Sequence, residues 1–274
     1  EKIPGYSYKQ CVLFALEKRN CLLIFDCCEP VYEKASQIIR VLRERCSNIK
    51  ILATSQIDIK LQAIEGATTL DLGGLLLPPV DVTPLSLEEY CKIPSIAFFV
   101  QYIQDLRPYF ILQPEMKPAL AHICTCLEGI PLALALAAGV LSDPEIDVFE
   151  LAEQINLHMD SIRTQKIGQL RHTTLRHVID WMFGFLSKEE QWITCQLWVF
   201  RGGWTRDSVE AVCIAADPLG ISLILDTLNQ KSWIRRIQEE PRRRYQTLDT
   251  LRKYSRERWQ EYPESQAHSL PQRH

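Results

Sequence analysis

Residues Cys21 to Glu29 read Cys-Leu-Leu-Ile-Phe-Asp-Cys-Cys-Glu, an apolar run that stops on an acid. An unbroken apolar run of this length predicts a strand buried on both faces, as in a parallel sheet. Such a strand delivers Asp26 to the carboxyl edge of the sheet, where open α/β folds place their ligands. The plainer alternative is a buried strand that ends in a helix-capping Asp.

The neighbouring sequence supplies the alternation that a parallel sheet needs. Residues 8 to 19 predict a helix with an apolar face. Pro30 opens a second helix, with Val31, Ala35, Ile38 and Leu42 at its 3.6-residue period. Lys50 to Thr54 predicts a second strand and Thr68 to Leu72 a weaker third. Leu77-Pro78-Pro79 and Pro84 then mark a linker, because consecutive prolines stop both helix and ladder.

Beyond the linker the pattern is helical. Ile96, Phe99, Val100, Ile103 and Leu106 share one helix face, and Pro114 to Leu127 predicts another helix. Gly129-Ile130-Pro131 breaks the chain. Leu132 to Leu141 is almost wholly apolar, so it predicts a helix enclosed on all sides, and Asp147 to Met159 closes the block.

The last block is a separate unit. Thr174 is placed to cap a helix carrying Leu175, Val178, Ile179, Met182 and Leu186. Ser187-Lys188-Glu189-Glu190 is a capping box that opens the next helix, which Gly202-Gly203 ends. Thr205 caps a short helix, and Asp217-Pro218 starts a fourth. Ser232 to Gln238 and Arg242 to Leu248 predict a hairpin around Glu239-Glu240-Pro241, and Asp249 caps a final helix to Gln260. Helices followed by a two-stranded hairpin are the layout of a winged helix. The fold class is therefore α/β plus all-α, with an α/β domain over 1–79, a helical domain over 80–169, a winged helix over 170–262 and a polar tail over 263–274.

Composition narrows the function classes. Hydrophobic residues are 46% of the 274, enough for a real core, and the net charge of −3 exerts no global pull on nucleic acid or anionic membrane. No apolar run reaches membrane-spanning length, and the first residues are no signal peptide. The first residue is Glu1, and the chain is read as a piece of something longer. Its ten cysteines are scattered, with no C-x-x-C pair and no His at metal-ligand spacing. That pattern predicts reduced thiols and a cytoplasmic protein rather than disulfides or zinc. No Ser/His/Asp or Cys/His triad is discernible. His158, His172 and His177 are expected in packing or at the surface, and Trp181, Trp192, Trp198 and Trp204 as core or interface aromatics of the last block rather than a base-stacking platform.

Several of these stretches, in this order, resemble the NB-ARC-type ATPase segment of bacterial STAND regulators, the kind fused to LuxR-type or SARP-type DNA-binding domains. Leu22 to Glu29 matches the Walker B strand and Leu52-Ala53-Thr54-Ser55-Gln56 the sensor strand. Cys124 to Leu134 matches the helix with the Gly-x-Pro motif. Thr174 to Trp181 with Leu186 to Glu190, then Val199 to Trp204, then Tyr245 to Asp249, match the winged-helix domain.

The resemblance implies a nucleotide switch. Asp26 would orient Mg²⁺ and its waters, and Gln56 would stand at the γ-phosphate sensor position. Gly129 and Pro131 would flank the adenine, and Asp249 would stand where related proteins lock the winged helix onto ADP. Exchange of ADP for ATP would release that lock and permit homo-oligomerisation. Implied partners are the phosphate-loop region, an effector domain and DNA through another domain, with no membrane. By the same analogy the phosphate-loop strand lies between the sensor strand and the strand near Thr69, so Ile51 and Thr69 are not expected on directly paired strands.

The departures from the family are specific. The phosphate loop G-x-x-x-x-G-K-[ST] is absent and no Gly-Lys pair occurs. Cys27 and Pro30 replace Asn and His, Leu248 replaces the lock His, and Gln56 replaces an Arg, which removes a charge from the sensor. ADP or ATP with Mg²⁺ is therefore expected in the full-length parent and not tightly in this segment, and hydrolysis is disfavoured. Two rivals stand beside this reading. One is a DNA-binding winged helix, suggested by Arg235, Arg236, Arg242, Arg243 and Arg244 with Arg252, Lys253, Arg256 and Arg258 after them. Nearby Glu239, Glu240, Glu257 and Glu261 favour a solvated or intramolecular face instead. The other is a nucleotide-free interaction scaffold.

Overall fold

The computed structural model describes residues 7–55, 66–165, 171–214, 220–237 and 244–262, with backbone alone for 159–165 and 171–174. The chain divides into two compact units, Glu1–Leu72 and Gly73–His274.

In the first unit, α1 (Tyr8–Leu16) starts at a capping box in which Ser7 and Gln10 bond each other's backbone. It leads to β1 (Cys21–Phe25), a 3₁₀ turn at Glu29–Val31, α2 (Tyr32–Arg45) and β2 (Ile49–Ala53). The two strands pair in parallel, from Cys21 opposite Ile49 to Phe25 opposite Ala53. Leu13 and Leu16 of α1 and Leu42 of α2 pack on Cys21, Leu23, Phe25 and Ile51.

Three expectations for this unit are corrected. β1 is not buried on both faces: the period of two sends Leu22 and Ile24 to the side away from α1 and α2, where they are 56% and 63% exposed. The buried stripe of α2 is Ala35, Ile39 and Leu42, not Val31 and Ile38, because Pro30 is spent in the 3₁₀ turn and the helix takes its phase from Tyr32. Thr68 to Leu72 forms no strand, and Leu70 and Leu72 are exposed. The parallel sheet has two strands among the described residues, so this segment has no ladder to join and is not paired with Ile51.

The second unit is mostly helical. It holds α3 (Leu87–Cys91), α4 (Pro94–Leu106), α5 (Lys117–Cys126), α6 (Pro131–Val140), α7 (Val148–Gln165), α8 (Arg171–Gly184), α9 (Lys188–Gln196), α10 (Arg206–Val212), α11 (Ile221–Gln230) and α12 (Asp249–Gln260). β3 (Trp204–Thr205), β4 (Arg235–Ile237) and β5 (Arg244–Gln246) make an antiparallel sheet in the order β3-β5-β4. One hydrophobic cluster runs from Val82 to Trp259. Ile96, Phe99, Val100 and Ile103 of α4 and Ala133 to Val140 of α6 are buried as expected, Leu106 and Leu132 are half-buried, and the Ser187–Glu190 capping box forms.

Two caps differ from expectation. α8 begins at Arg171, so Thr174 lies inside it rather than at its N-cap. Leu248 holds the N-cap position of α12 and Asp249 the first helical position, with the Asp249 carboxylate turned to Arg252 at 2.6 Å. Asp217-Pro218, the Glu239-Glu240-Pro241 turn and the 169/170 boundary lie outside the described residues.

A lysine joins the linker to the helices. Lys117, 8% exposed, donates to the carbonyls of Val82 (3.1 Å), Thr83 (3.3 Å) and Leu85 (2.7 Å). Its own carbonyl accepts from the Tyr90 hydroxyl at 2.8 Å. Three carbonyls from a loop thus converge on one ammonium at the start of α5. Lys117→Met keeps the stem and leaves these acceptors without their donor, so a loss of about 1–3 kcal/mol is expected in urea unfolding.

Candidate functional site

β1 and β2 end together, and the backbone pairing runs on past both. The Thr54 N–H donates to the Phe25 carbonyl and the Cys28 N–H to the Thr54 carbonyl, each at 2.9 Å. This brings the Thr54 hydroxyl beside Asp26. It donates to Asp26 Oδ1 at 2.6 Å and accepts from the Cys27 N–H at 3.0 Å. Cys27 turns out of the strand at φ 56°, a left-handed conformation that is uncommon for a residue with a side chain. Asp26 is therefore an exposed carboxylate whose orientation one hydroxyl holds, at the carboxyl edge of two parallel strands. Thr54 was part of the sensor-strand match but not a candidate site residue; its spacing of 28 residues from Asp26 carries no local signal.

In the second unit the Gly-x-Pro turn is a backbone clasp. Gly129 has φ 63°; its N–H donates to the Cys124 carbonyl at 3.0 Å, and its carbonyl accepts from the Leu75 N–H at 2.8 Å. A Cβ on Gly129 would lie 2.3 Å from the Leu75 carbonyl oxygen, and a Cβ on Gly74 would lie 2.0 Å from that of Glu128. Both positions require glycine. Pro131 follows as the first residue of α6 and is exposed. Gly74 escaped the sequence reading because its partners, Glu128 and Gly129, lie far along the chain and no local spacing links them.

Asp26 and Thr54 stand together in the first unit, Gly129 and Pro131 in the second, and Asp249 is engaged with Arg252. Gln56 lies outside the described residues. Mg²⁺ in nucleotide sites takes one or two carboxylates and fills its shell with water and phosphate oxygens. A single exposed Asp26 fits that role. No group of three or more His, Cys, Asp or Glu able to hold a metal by itself occurs among the described residues. The glycine-rich loop and Lys that cradle phosphate in P-loop folds do not occur in this sequence.

The basic residues of the last block are mostly engaged internally. Arg236 pairs with Asp226 at 2.9 Å, and Arg252 with Asp249. Arg258 reaches Asp180 at 3.3 Å and Glu261 at 2.6 Å. Arg176 pairs with Glu257, Arg244 donates to the Gly203 carbonyl, and Arg256 lies 5.3 Å over the Trp198 ring. Arg242 and Arg243 lie outside the described residues. Charges spent on neighbours leave little for DNA phosphates. Titration with duplexes of different sequence is expected to give weak, salt-sensitive and sequence-independent binding; tight binding to one duplex at physiological salt would refute it.

Three buried thiols of the second unit are not poised for chemistry. Burial pushes Cys124, Cys195 and Cys213 from 9.0 up to about 12. Iodoacetamide at pH 8 is expected to spare these three in the folded chain and to label them in urea. Their neutral forms are favoured by folding, so their contribution to stability is fully present below pH 9. It falls between pH 9 and 12, where the unfolded chain loses protons that the folded chain keeps.

No family model matches the chain. It is 26% identical over 269 residues to a “putative HTH-type transcriptional regulator” of Mycobacterium tuberculosis (strain ATCC 25618 / H37Rv), covering 97% of this chain and 28% of that protein. An uncharacterized protein of the same strain is 26% identical over 213 residues, 76% of this chain and 49% of its own. The chain thus spans less than a third of the length of the named regulator. Its fold is similar to the crystal structure of a Signal Transduction ATPase with Numerous Domains (STAND) protein with a tetratricopeptide repeat sensor from Pyrococcus horikoshii. That likeness has a TM-score of 0.50 at 16% identity and covers 91% of this chain and 29% of that one. No helix among the described residues is long and apolar enough to cross a membrane.

Proposed function

We propose that this chain is the switch segment of a cytoplasmic STAND-type signalling or transcriptional-regulator protein, linked to ADP or ATP with Mg²⁺. The observation that carries the reading is the Asp26 carboxylate, held by Thr54 at the open carboxyl edge of two parallel strands. The likeness in fold to a STAND protein and the low-identity match to a named regulator support it.

In this reading Mg²⁺, when bound, offsets the charge of the nucleotide phosphates. Asp26 would hold the hydrated metal through its carboxylate, which the Thr54 hydroxyl orients. Pro131 presents a rigid ring without an N–H to the adenine, beside the clasped Gly129. Asp249 stands at the position from which the C-terminal block, residues 170–262 read as a winged helix, senses the nucleotide. Gln56 contributes a neutral sensor side chain, so the proposal is binding and switching rather than hydrolysis. The phosphate loop, an effector domain and a DNA-binding domain belong to the parent protein, which assembles with copies of itself when the switch opens.

Calorimetry tests this. Without a phosphate cradle the chain is expected to bind Mg-ADP at millimolar affinity or weaker, about −4 kcal/mol. A longer version of the parent protein carrying G-x-x-x-x-G-K-[ST] ahead of Glu1 is expected to bind at micromolar affinity and to lose that binding on Asp26→Asn with Mg²⁺ present. Micromolar binding by the present chain would reveal a phosphate site elsewhere. No binding by the longer protein would favour a nucleotide-free scaffold.

A further inference from the structure

α6 meets the C-terminal block at a point with no room for a side chain. A Cβ on Gly139 would stand 2.6 Å from the carbonyl carbon and oxygen of Lys231 and 2.7 Å from its Cα. The contact is backbone on backbone, so no rotamer at residue 231 relieves it.

Neither side yields locally. Eight of the ten α6 residues, Ala133 to Val140, are buried. The turn that follows α11 is closed by hydrogen bonds from the Lys231 N–H to the Thr227 carbonyl (2.8 Å) and from the Trp233 N–H to the Leu228 carbonyl (2.9 Å). Between them Ser232 takes φ 64°, the left-handed helix-ending position that glycine usually fills. Trp233 is 2% exposed, with the rings of Phe183 at 5.6 Å and Tyr254 at 6.0 Å.

The Lys231 side chain extends the hold. Its ammonium donates to the Phe185 carbonyl, just past α8, at 3.1 Å and to Glu190 Oε2 at 2.9 Å. The same carboxylate oxygen accepts the Ser187 N–H at 2.8 Å in the capping box of α9. One residue therefore gathers the ends of α8, α9 and α11 while its backbone bears on α6. An added Cβ at Gly139 meets backbone rather than a movable side chain, so either α6 or the Lys231 turn with the helix ends it gathers has to shift.

We propose that the Gly139–Lys231 contact is the seat that holds the C-terminal block, residues 171–262, docked against α6, and that the block leaves α6 as one body when the seat is lost. The regulatory meaning rests on the switch reading above, in which the docked block is the closed state; the docking itself requires no nucleotide.

Hydrogen exchange read by mass spectrometry on the whole chain tests it. Ala within a helix is more favourable than Gly, so Gly139→Ala strengthens α6 itself, and any loosening reports the seat. Exchange across α6 and α8 is expected to rise about tenfold in Gly139→Ala and further in Gly139→Val, as overpacking by a methyl or more requires. Segments around Leu225, Trp233 and Tyr254 should keep wild-type protection. Gly184→Ala, where an added Cβ meets nothing within 4 Å, serves as the control and should leave exchange at α6 unchanged. Lys231→Met, which retains the backbone contact, should loosen only residues 185–190. Wild-type exchange at α6 and α8 in Gly139→Val would overturn the proposal. So would a uniform rise that includes Trp233 and Tyr254, because Gly139 would then be an ordinary core position. Neither result depends on nucleotide, so failure of the seat and failure of the nucleotide reading remain distinguishable.

Discussion

A helix with almost no polar side chain has to be enclosed, and α6 imposes that condition on the larger unit. Its residues from Ala133 to Val140 are buried, and they are mostly small. Small side chains let neighbouring elements approach until backbones touch, as they do at Gly139 and Lys231. The two ends of α6 then do different things. The first carries an exposed Pro131 beside a glycine clasp; the last bears the C-terminal block.

Three polar side chains in this unit, Lys117, Lys231 and Gln196, are met largely by backbone partners. Lys117 spends its ammonium on three loop carbonyls, and Lys231 divides its own between a carbonyl and Glu190. Gln196, fully buried, pairs its amide with both the N–H and the carbonyl of Ile214. Such bonds are modest in net stability but costly to leave half made, and so they specify where loops must lie. The arginines of the last block follow the same economy of placement, with most of the described guanidiniums bound to a carboxylate, a carbonyl or an aromatic face.

The smaller unit rests on a different principle. Two parallel strands with helices on one side leave Leu22, Ile24 and Leu52 more than half exposed on the other. Its carboxyl edge is nonetheless ordered, because ladder bonds through Phe25, Thr54 and Cys28 continue beyond the strands and place a hydroxyl against Asp26. Geometry at that edge comes from the pairing of two segments and needs no further layer.

Local pattern alone determined the helices with strong periodicity, the two paired strands, the Ser187 capping box and the place of Asp26 at a strand end, whereas Gly129 and Pro131 became candidate positions only through the family resemblance. The local features are written in spacings of two to four residues, which a reader of one sequence can see. Tertiary structure decided the rest. The strand at Thr68 to Leu72 failed because a strand is defined by its partner, and the face of α2 shifted because a 3₁₀ turn absorbed Pro30. The tie of Thr54 to Asp26, the clasp of Gly74 and Gly129, and the contact of Gly139 with Lys231 join residues far apart along the chain. Such pairings have no period and no local propensity; they exist only once packing has chosen which backbones lie close enough to touch.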